Sequence, residues 1–304
     1  MKLSPSISGV LPVLHMPYLD SGAIDYNTLC RETDHVFNAG ADGIVIALAS
    51  ELLRLTHEER LEVTRQLPEL AAGRGTTTMS VGAESTRQAV EYAEAAQKAG
   101  CDAVMAVPPF LTGMSADEKI KYYRAIHDAI NIPVVVQDAS GYMGGETIPV
   151  DQLAAMRREL DSRIYYKPEG LPTGPMLTAL QKQLNNEGVI FEGSGGYLLI
   201  DSWRRGVCGT MSGCDLIEGI VAVWRALENG DEKRAYEVYL PLAALVLLEI
   251  PNLDTYLAIE KHLLKRQGIF KNTIVREPVA YILDDYTRAE VDRLYDRLQA
   301  VLAE

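Results

Sequence analysis

The sequence predicts an α/β fold, a (β/α)8 TIM barrel with a C-terminal three-helix domain, on three observations. Short apolar runs rich in β-branched residues alternate with longer amphipathic runs up to about residue 228, the pattern of β/α units around a parallel sheet. Eight such runs occur, and eight is the number that closes a barrel. Asn38-Ala39-Gly40-Ala41-Asp42-Gly43 and Lys98-Ala99-Gly100-Cys101-Asp102-Ala103 repeat one design, a glycine ending a helix just before the next strand, and Arg205-Gly206-Val207 is a third copy. The first two glycines lie 60 residues apart and the next interval is 106, which at roughly 25 to 30 residues per unit spans two and then four units.

In chain order the expected strands are residues 9–14, 43–48, 77–82, 103–107, 132–137, 164–167, 189–193 and 206–211. Each is near-continuously hydrophobic, as strands covered on both faces must be. Thr56-His57-Glu58-Glu59 is a capping box that opens the helix after the second strand. After Asn229-Gly230-Asp231 the strand signal stops, which divides the chain into an expected barrel, 1–228, and a helical domain, 229–304. Three helical stretches follow, at 232–249, 254–267 and 287–303. In the first, Pro241 is expected to kink the helix, and the apolar run 242–248 offers a side that can pack on the barrel or on a neighbouring subunit. The last opens on the capping box Thr287-x-x-Glu290 and carries Val291, Leu294, Leu298, Val301 and Leu302 on one face.

A chain of 304 residues, 47% hydrophobic and 23% charged, can bury a large core. Its net charge of -13 argues against nucleic acid as a partner, because a phosphate backbone is bound by clustered Lys and Arg that release counterions. No basic stretch followed by an apolar core opens the chain, and no apolar run approaches the ~20 residues that span a bilayer. No membrane partner is therefore expected, and the chain reads as cytoplasmic. Cys30, Cys101, Cys208 and Cys214 form no C-x-x-C pair, and His15, His35, His57, His127 and His262 are equally dispersed. Neither a disulfide framework nor a metal site is expected.

In such a barrel the chemistry gathers at the C-terminal ends of the strands. Those ends offer His15, Ser50 and Glu51, Gly82 to Glu84, Pro108 to Phe110, Gln137 and Asp138, Lys167 and Glu169, Glu192 to Gly196, and Cys208 to Ser212. Lys167 stands out because it ends the apolar strand Ile164-Tyr165-Tyr166, where burial lowers an amine's pKa and leaves it able to attack a ketone as a Schiff-base nucleophile. The same lysine also fits a structural ion pair with Glu169 or Glu192. Ser50-Glu51 can turn backbone N–H groups towards a carboxylate, or simply cap a turn. Gly193-Ser194-Gly195-Gly196 has the make-up of a phosphate cradle but no basic neighbour. Any Mg²⁺ site would draw on Glu51, Asp138, Glu169 and Glu192.

Together these pieces resemble the dihydrodipicolinate synthase and N-acetylneuraminate lyase family over nearly the whole chain. The resemblance implies the barrel with its three-helix domain, a homotetramer or homodimer, a small-molecule 2-keto acid as partner, and no metal or cofactor beyond a covalent lysine imine. The Schiff-base lysine of the family matches Lys167 in Tyr165-Tyr166-Lys167-Pro168-Glu169. Where most members carry Gly-Thr-Thr-Gly-Glu after the second strand, this chain has Ala47-Leu48-Ala49-Ser50-Glu51, so the relay threonine becomes Leu48. The family's tyrosine at the end of strand five is Gln137, the second relay tyrosine is Phe110, and the arginine of the following loop falls at about Tyr142. A glutamine amide does not shuttle protons at neutral pH, which disfavours retro-aldol cleavage, and the loss of the arginine that meets a second carboxylate disfavours lysine biosynthesis.

One branch, the L-2-keto-3-deoxyarabonate dehydratases, is more similar. Val136-Gln137-Asp138-Ala139, Ser50-Glu51 and Lys167-Pro168-Glu169 match it, as do Pro108-Pro109, Glu192-Gly193 and Gly209-Thr210-Met211-Ser212-Gly213. The resemblance thus implies a hydro-lyase dehydrating a 2-keto-3-deoxy sugar acid, such as L-2-keto-3-deoxyarabonate to 2,5-dioxopentanoate. Lys167 would be the nucleophile, Glu169 the proton carrier and Gln137 the group that orients a hydroxyl or water. Ala49, Ser50, Glu51, Phe110, Asp138, Glu192, Gly193 and Cys208 are the expected substrate-binding residues. A pyruvate-dependent aldolase, a non-catalytic keto-acid-binding paralogue and a metal-dependent lyase are the alternatives.

Overall fold

The computed structural model describes residues 6–111, 113–140 and 147–304. Its parallel strands are β1 (Gly9–Val10), β2 (Gly43–Ile46), β3 (Thr76–Ser80), β4 (Ala103–Ala106), β5 (Val134–Gln137), β6 (Ile164–Lys167), β7 (Phe191–Glu192) and β8 (Gly209–Thr210). Strands β2 to β6 pair in chain order, and β1, β8 and β7 form a second run. Single bridges, Val13 to Val45 and Tyr166 to Ile190, join the two runs into a closed (β/α)8 barrel. Only β6 has the expected bounds. The other apolar runs continue past the assigned strands towards either rim, where single backbone hydrogen bonds, such as Leu11 N–H to the Thr210 carbonyl at 2.9 Å and Val81 N–H to the Met105 carbonyl at 2.7 Å, still join neighbours outside a regular ladder.

Outside the strands run α1 (Tyr26–Asn38), α2 (His57–Ala71), α3 (Thr86–Ala99), α4 (Ala116–Ala129), α5 (Val150–Glu159), α6 (Thr173–Gln183), α7 (Leu199–Arg204) and α8 (Ile217–Glu228). The capping box before α2 forms as expected: Thr56 Oγ1 accepts from the Glu59 N–H at 3.2 Å, and the Glu59 carboxylate accepts from the Thr56 N–H at 2.9 Å. Gly40, Gly100 and Gly206 adopt φ of +99°, +96° and +83°, the left-handed turn that ends a helix. The aspartate of the repeated segment ties the neighbouring strand. Asp42 accepts from the Val10 N–H at 2.8 Å, and Asp102 from the Thr77 N–H at 2.7 Å.

The C-terminal helices are α9 (Glu232–Glu249), α10 (Leu253–Arg266) and α11 (Asp285–Leu302). Pro241 sits inside a single continuous α9, which packs on α8 and α11. Its apolar run is one-sided: Leu242, Leu245 and Val246 are buried, whereas Leu240 and Leu247 are more than half exposed. Helix α11 begins two residues before the expected start, because Asp284 accepts from the N–H groups of Tyr286 and Thr287 and takes the capping role assigned to Thr287.

Along each strand alternate side chains serve two cores. Leu11, Val45, Met105, Val135, Tyr165 and Phe191 fill the barrel, while Val10, Ile44, Val104, Val134 and Tyr166 pack outwards against the helices. The helical domain is pinned to the barrel by a buried charge. Lys261 is fully buried, and its ammonium donates to Glu51, to the Met16 carbonyl at 2.8 Å and to the Ile274 carbonyl at 2.6 Å. Glu51, at φ +54°, also accepts from the Arg276 N–H at 2.7 Å, and the Arg276 guanidinium donates to Glu59 at 2.8 Å. Replacing Lys261 by Met strands the Glu51 carboxylate and is expected to destabilise the fold by about 3–5 kcal/mol in urea unfolding, with Lys261→Met/Glu51→Gln recovering most of the loss.

Candidate active site

Above the filled interior, the next inward-facing residue of several strands lines a cavity of about 830 Å³ including its open mouth. Val13, Ala47, Gln137, Lys167, Gly193 and Met211 form its floor, each two residues beyond a position inside the barrel, so the period of the strand places them. Leu48, Ala49, Leu171, Thr173, Ser194 and Tyr197 make the near walls. Ile250, Asn252, Leu253 and Tyr256, from the turn into α10 and its first residues, close the far side.

At the floor the Lys167 ammonium lies 3.1 Å from Glu169 Oε1, and both residues are more than nine-tenths buried. Gln137, paired across the sheet with Lys167, donates from Nε2 to both Glu169 oxygens at 3.1 Å. Strand β6 ends at Lys167, yet Glu169 keeps the inward face beyond Pro168, because Asp138 Oδ1 accepts from its backbone N–H at 2.9 Å. Burial pushes the Glu169 carboxyl up to about 7; the Lys167 ammonium opposes the rise and the Asp138 charge adds to it. Asp138 is itself raised by burial, against the N–H groups of Glu169 and Ser140 that bond it. The arrangement sets a buried amine, a carboxyl raised by burial to about 7 and an amide donor around one point.

The remaining expected residues divide. Ala49 and Gly193 line the cavity. Ser50 does not: its hydroxyl donates to the Leu14 carbonyl and accepts from the Ala47 N–H at 3.0 Å. The N–H groups of Ser50 and Glu51 are used by the carbonyls of Ala47 and Leu48, so the amides at the open start of this 3-10 turn are those of Leu48 and Ala49. Glu51 faces the helical domain instead of the cavity. Phe110 lines a separate recess with His57, Arg60 and Tyr92. Asp138 stands behind Glu169 as its backbone anchor. Glu192 accepts from Thr210 Oγ1 and from the Ser194 N–H, both at 2.6 Å, off the cavity. Cys208 precedes β8 and so lies at the opposite end of the barrel, where its thiol donates to the Ile190 carbonyl at 3.3 Å and burial pushes it up to about 12. Tyr142 lies outside the described residues. The wall from residues 250–256 was not expected, since a short helix–helix turn carries no sequence signal of what it faces.

The family model described as Dihydrodipicolinate synthetase family matches residues 6–296. The chain belongs to that family. It is accordingly an enzyme of the lyase type. The L-2-keto-3-deoxyarabonate dehydratase of Azospirillum brasilense is 28% identical over 308 residues, covering 98% of this chain and 97% of that protein. The 4-hydroxy-tetrahydrodipicolinate synthase of Leptothrix cholodnii is 32% identical over 144 residues, 47% of this chain and 49% of that one. The solved 4-hydroxy-tetrahydrodipicolinate synthase of Methylacidiphilum fumariolicum SolV superposes with a TM-score of 0.87 at 23% identity, covering 98% of this chain and 97% of its own, which shows the shared fold. Among the described residues, no helix is long and apolar enough to cross a membrane.

Gly193 leaves no room for a side chain beside the Lys167–Glu169 pair. A methyl group there would stand 2.8 Å from Lys167 Cε and 2.8 Å from Glu169 Cγ, forcing both from their places. Gly193→Ala is expected to lower kcat/KM roughly 10²-fold while circular dichroism and Tm stay close to the parent, because a displacement of about 1 Å at the reacting groups suffices for such a loss.

Proposed function

We propose that this chain is a Schiff-base hydro-lyase of 2-keto-3-deoxy sugar acids, converting L-2-keto-3-deoxyarabonate to 2,5-dioxopentanoate as a cytoplasmic homotetramer or homodimer without a metal in the reaction. The observation that carries the reading is the buried Lys167–Glu169–Gln137 group, with a carboxyl poised near neutrality beside the amine. Similarity over the full chain to a dehydratase of that substrate supports it. The barrel, residues 1–228, supplies the chemistry, and the helical domain, 229–304, closes the far wall.

In this mechanism the substrate carboxylate accepts from the Leu48 and Ala49 amides. Glu169 takes a proton from the Lys167 ammonium, and the free amine attacks C2. The carbinolamine oxygen takes the proton back from Glu169 and leaves as water, giving the protonated imine, which draws electrons from C3, and restoring the carboxylate. The Glu169 carboxylate removes a C3 proton, and the enamine electron pair expels the C4 oxygen, which leaves as water with the proton that Glu169 returns. A double bond now joins C3 and C4. Tautomerisation moves it towards C5, and hydrolysis of the imine frees Lys167 and the dicarbonyl product. The water spent in hydrolysis equals that released in imine formation, so the net change is loss of one water. Gln137, donating to Glu169, holds the carboxyl between amine and C3.

Borohydride added with the 2-keto-3-deoxy acid is expected to fix a substrate adduct on the Lys167 peptide, with an aldehyde product and no pyruvate. Pyruvate in the product would make the enzyme an aldolase, and absence of any adduct would remove the imine. Glu169 must be ionised to accept the C3 proton, so kcat/KM is expected to fall with unit slope as pH drops below about 7. Glu169→Gln should lower kcat/KM about 10²- to 10⁴-fold and abolish that acid limb; a surviving limb would assign the base elsewhere.

A further inference from the structure

Behind the far wall of the cavity, where α10 meets the chain leaving β8, lies a second group of titratable side chains that the lyase reaction does not use. Asp215 follows β8, Glu249 is the last residue of α9 and Glu260 belongs to α10. They are 4%, 1% and 0% exposed, and each brings a carboxylate oxygen to within 4.8 Å of the other two. Asp215 Oδ2, Glu249 Oε1 and Glu260 Oε1 are buried oxygens with no hydrogen-bond donor. Gly213 leaves the space in which Glu260 sits, since a methyl group there would collide with both Glu260 and Asp215.

The surroundings leave these three oxygens without partners. The second oxygen of Glu260 bonds the His15 ring, whose other nitrogen lies 3.0 Å from Glu32. The His15 ring is fully buried between these two carboxyl groups, so both of its nitrogens are already engaged. Lys261 is adjacent in sequence, but its ammonium is engaged by Glu51 and two carbonyls. Tyr256 turns its hydroxyl towards Glu260, and the Cys214 thiol donates to the Val13 carbonyl at 3.1 Å. Four carboxyl groups, Glu32, Asp215, Glu249 and Glu260, thus crowd around one imidazole ring.

We propose that Asp215, Glu249 and Glu260 bind a hard divalent cation, Ca²⁺ or Mg²⁺, that fastens the helical domain to the barrel. Shared protons join carboxyl oxygens only in pairs, whereas one central cation serves all three at once. Oxygens around a common cation at about 2.4 Å stand roughly 3.4 Å apart when adjacent and about 4.8 Å when opposite, the span these atoms occupy. The donors are all oxygen, and the neighbouring imidazole and thiol already have partners, which favours a hard ion over a thiophilic one. The site is structural: the wall formed by Ile250 and Tyr256 stands between it and the keto-acid cavity.

The test uses the full chain, freed of metal by chelation and then titrated with Tb³⁺. Tyr256 beside the site should sensitise terbium emission on tyrosine excitation, saturating at one ion per chain and displaced by Ca²⁺ or Mg²⁺. Protein purified without chelator should carry one equivalent of the native ion, and its Tm should fall on chelation and recover on reloading. Glu249→Gln and Asp215→Asn should each lose the emission while Lys167 still forms its borohydride adduct, which separates failure here from failure of the lyase reading. Wild-type protein that holds no stoichiometric metal and whose Tm ignores millimolar Ca²⁺ and Mg²⁺ would overturn the proposal and assign the cluster to shared protons, whatever the variants do.

Discussion

The barrel packs its own interior with Leu11, Val45, Met105, Val135, Tyr165 and Phe191, which leaves no room for a ligand below the rim and makes the next inward residue of each strand a floor tile of the cavity. Everything at the mouth depends on that packing. Tyr165 inside the barrel fixes Lys167 two residues later on the same face, and the parallel register with β5 sets Gln137 beside it. The lysine is dry because the layer beneath it is solid, and the same dryness raises Glu169 to the pKa at which it can trade protons with an amine or a carbon acid. Fold and chemistry are therefore one constraint seen at two heights of the same strands.

Much of this was legible in the sequence, for a reason that particular residues show. The alternation that buries Tyr165 inwards and Tyr166 outwards is written in the residue order, so the strand, its final lysine and the carboxylate two residues on could be read without coordinates. Asp42 and Asp102, visible as part of a repeated segment, prove to be strand anchors, a role that only the backbone hydrogen bonds reveal. The misread residues are those whose side-chain direction depends on a loop. Glu51 turns away from the cavity because its backbone is left-handed, and Ser50 is consumed in closing a 3-10 turn. Cys208 was assigned to the mouth because the apolar run 206–211 does not say which part of it is ladder; with β8 starting at Gly209, the cysteine falls at the far end. The wall at 250–256 depends on how two domains dock, which no local pattern encodes.

The polar groups around Glu169 show how a short strand end is made rigid. Asp138 holds the backbone amide of Glu169, and Gln137, its neighbour in the chain, holds the carboxylate. Two consecutive residues of one strand end thus fix both halves of the residue that follows the next strand. A hydroxyl relay would need mobile protons along several groups; the proposed reaction instead gives all the proton carrying to a single carboxyl, gripped from two sides, and the amide that grips it has no proton to lose.

The clamp on Glu51 bears on how separable the two halves of the molecule are. The turn that offers the Leu48 and Ala49 amides to the cavity is held from outside the barrel, by Lys261 and Arg276. A chimaera that grafted this β2 loop onto another family member's barrel would import a buried, unpartnered carboxylate unless those two residues travelled with it. The mouth of the enzyme is thus not modular: its inheritable unit crosses the domain boundary, and changes in the loop and in the helical domain must be made together.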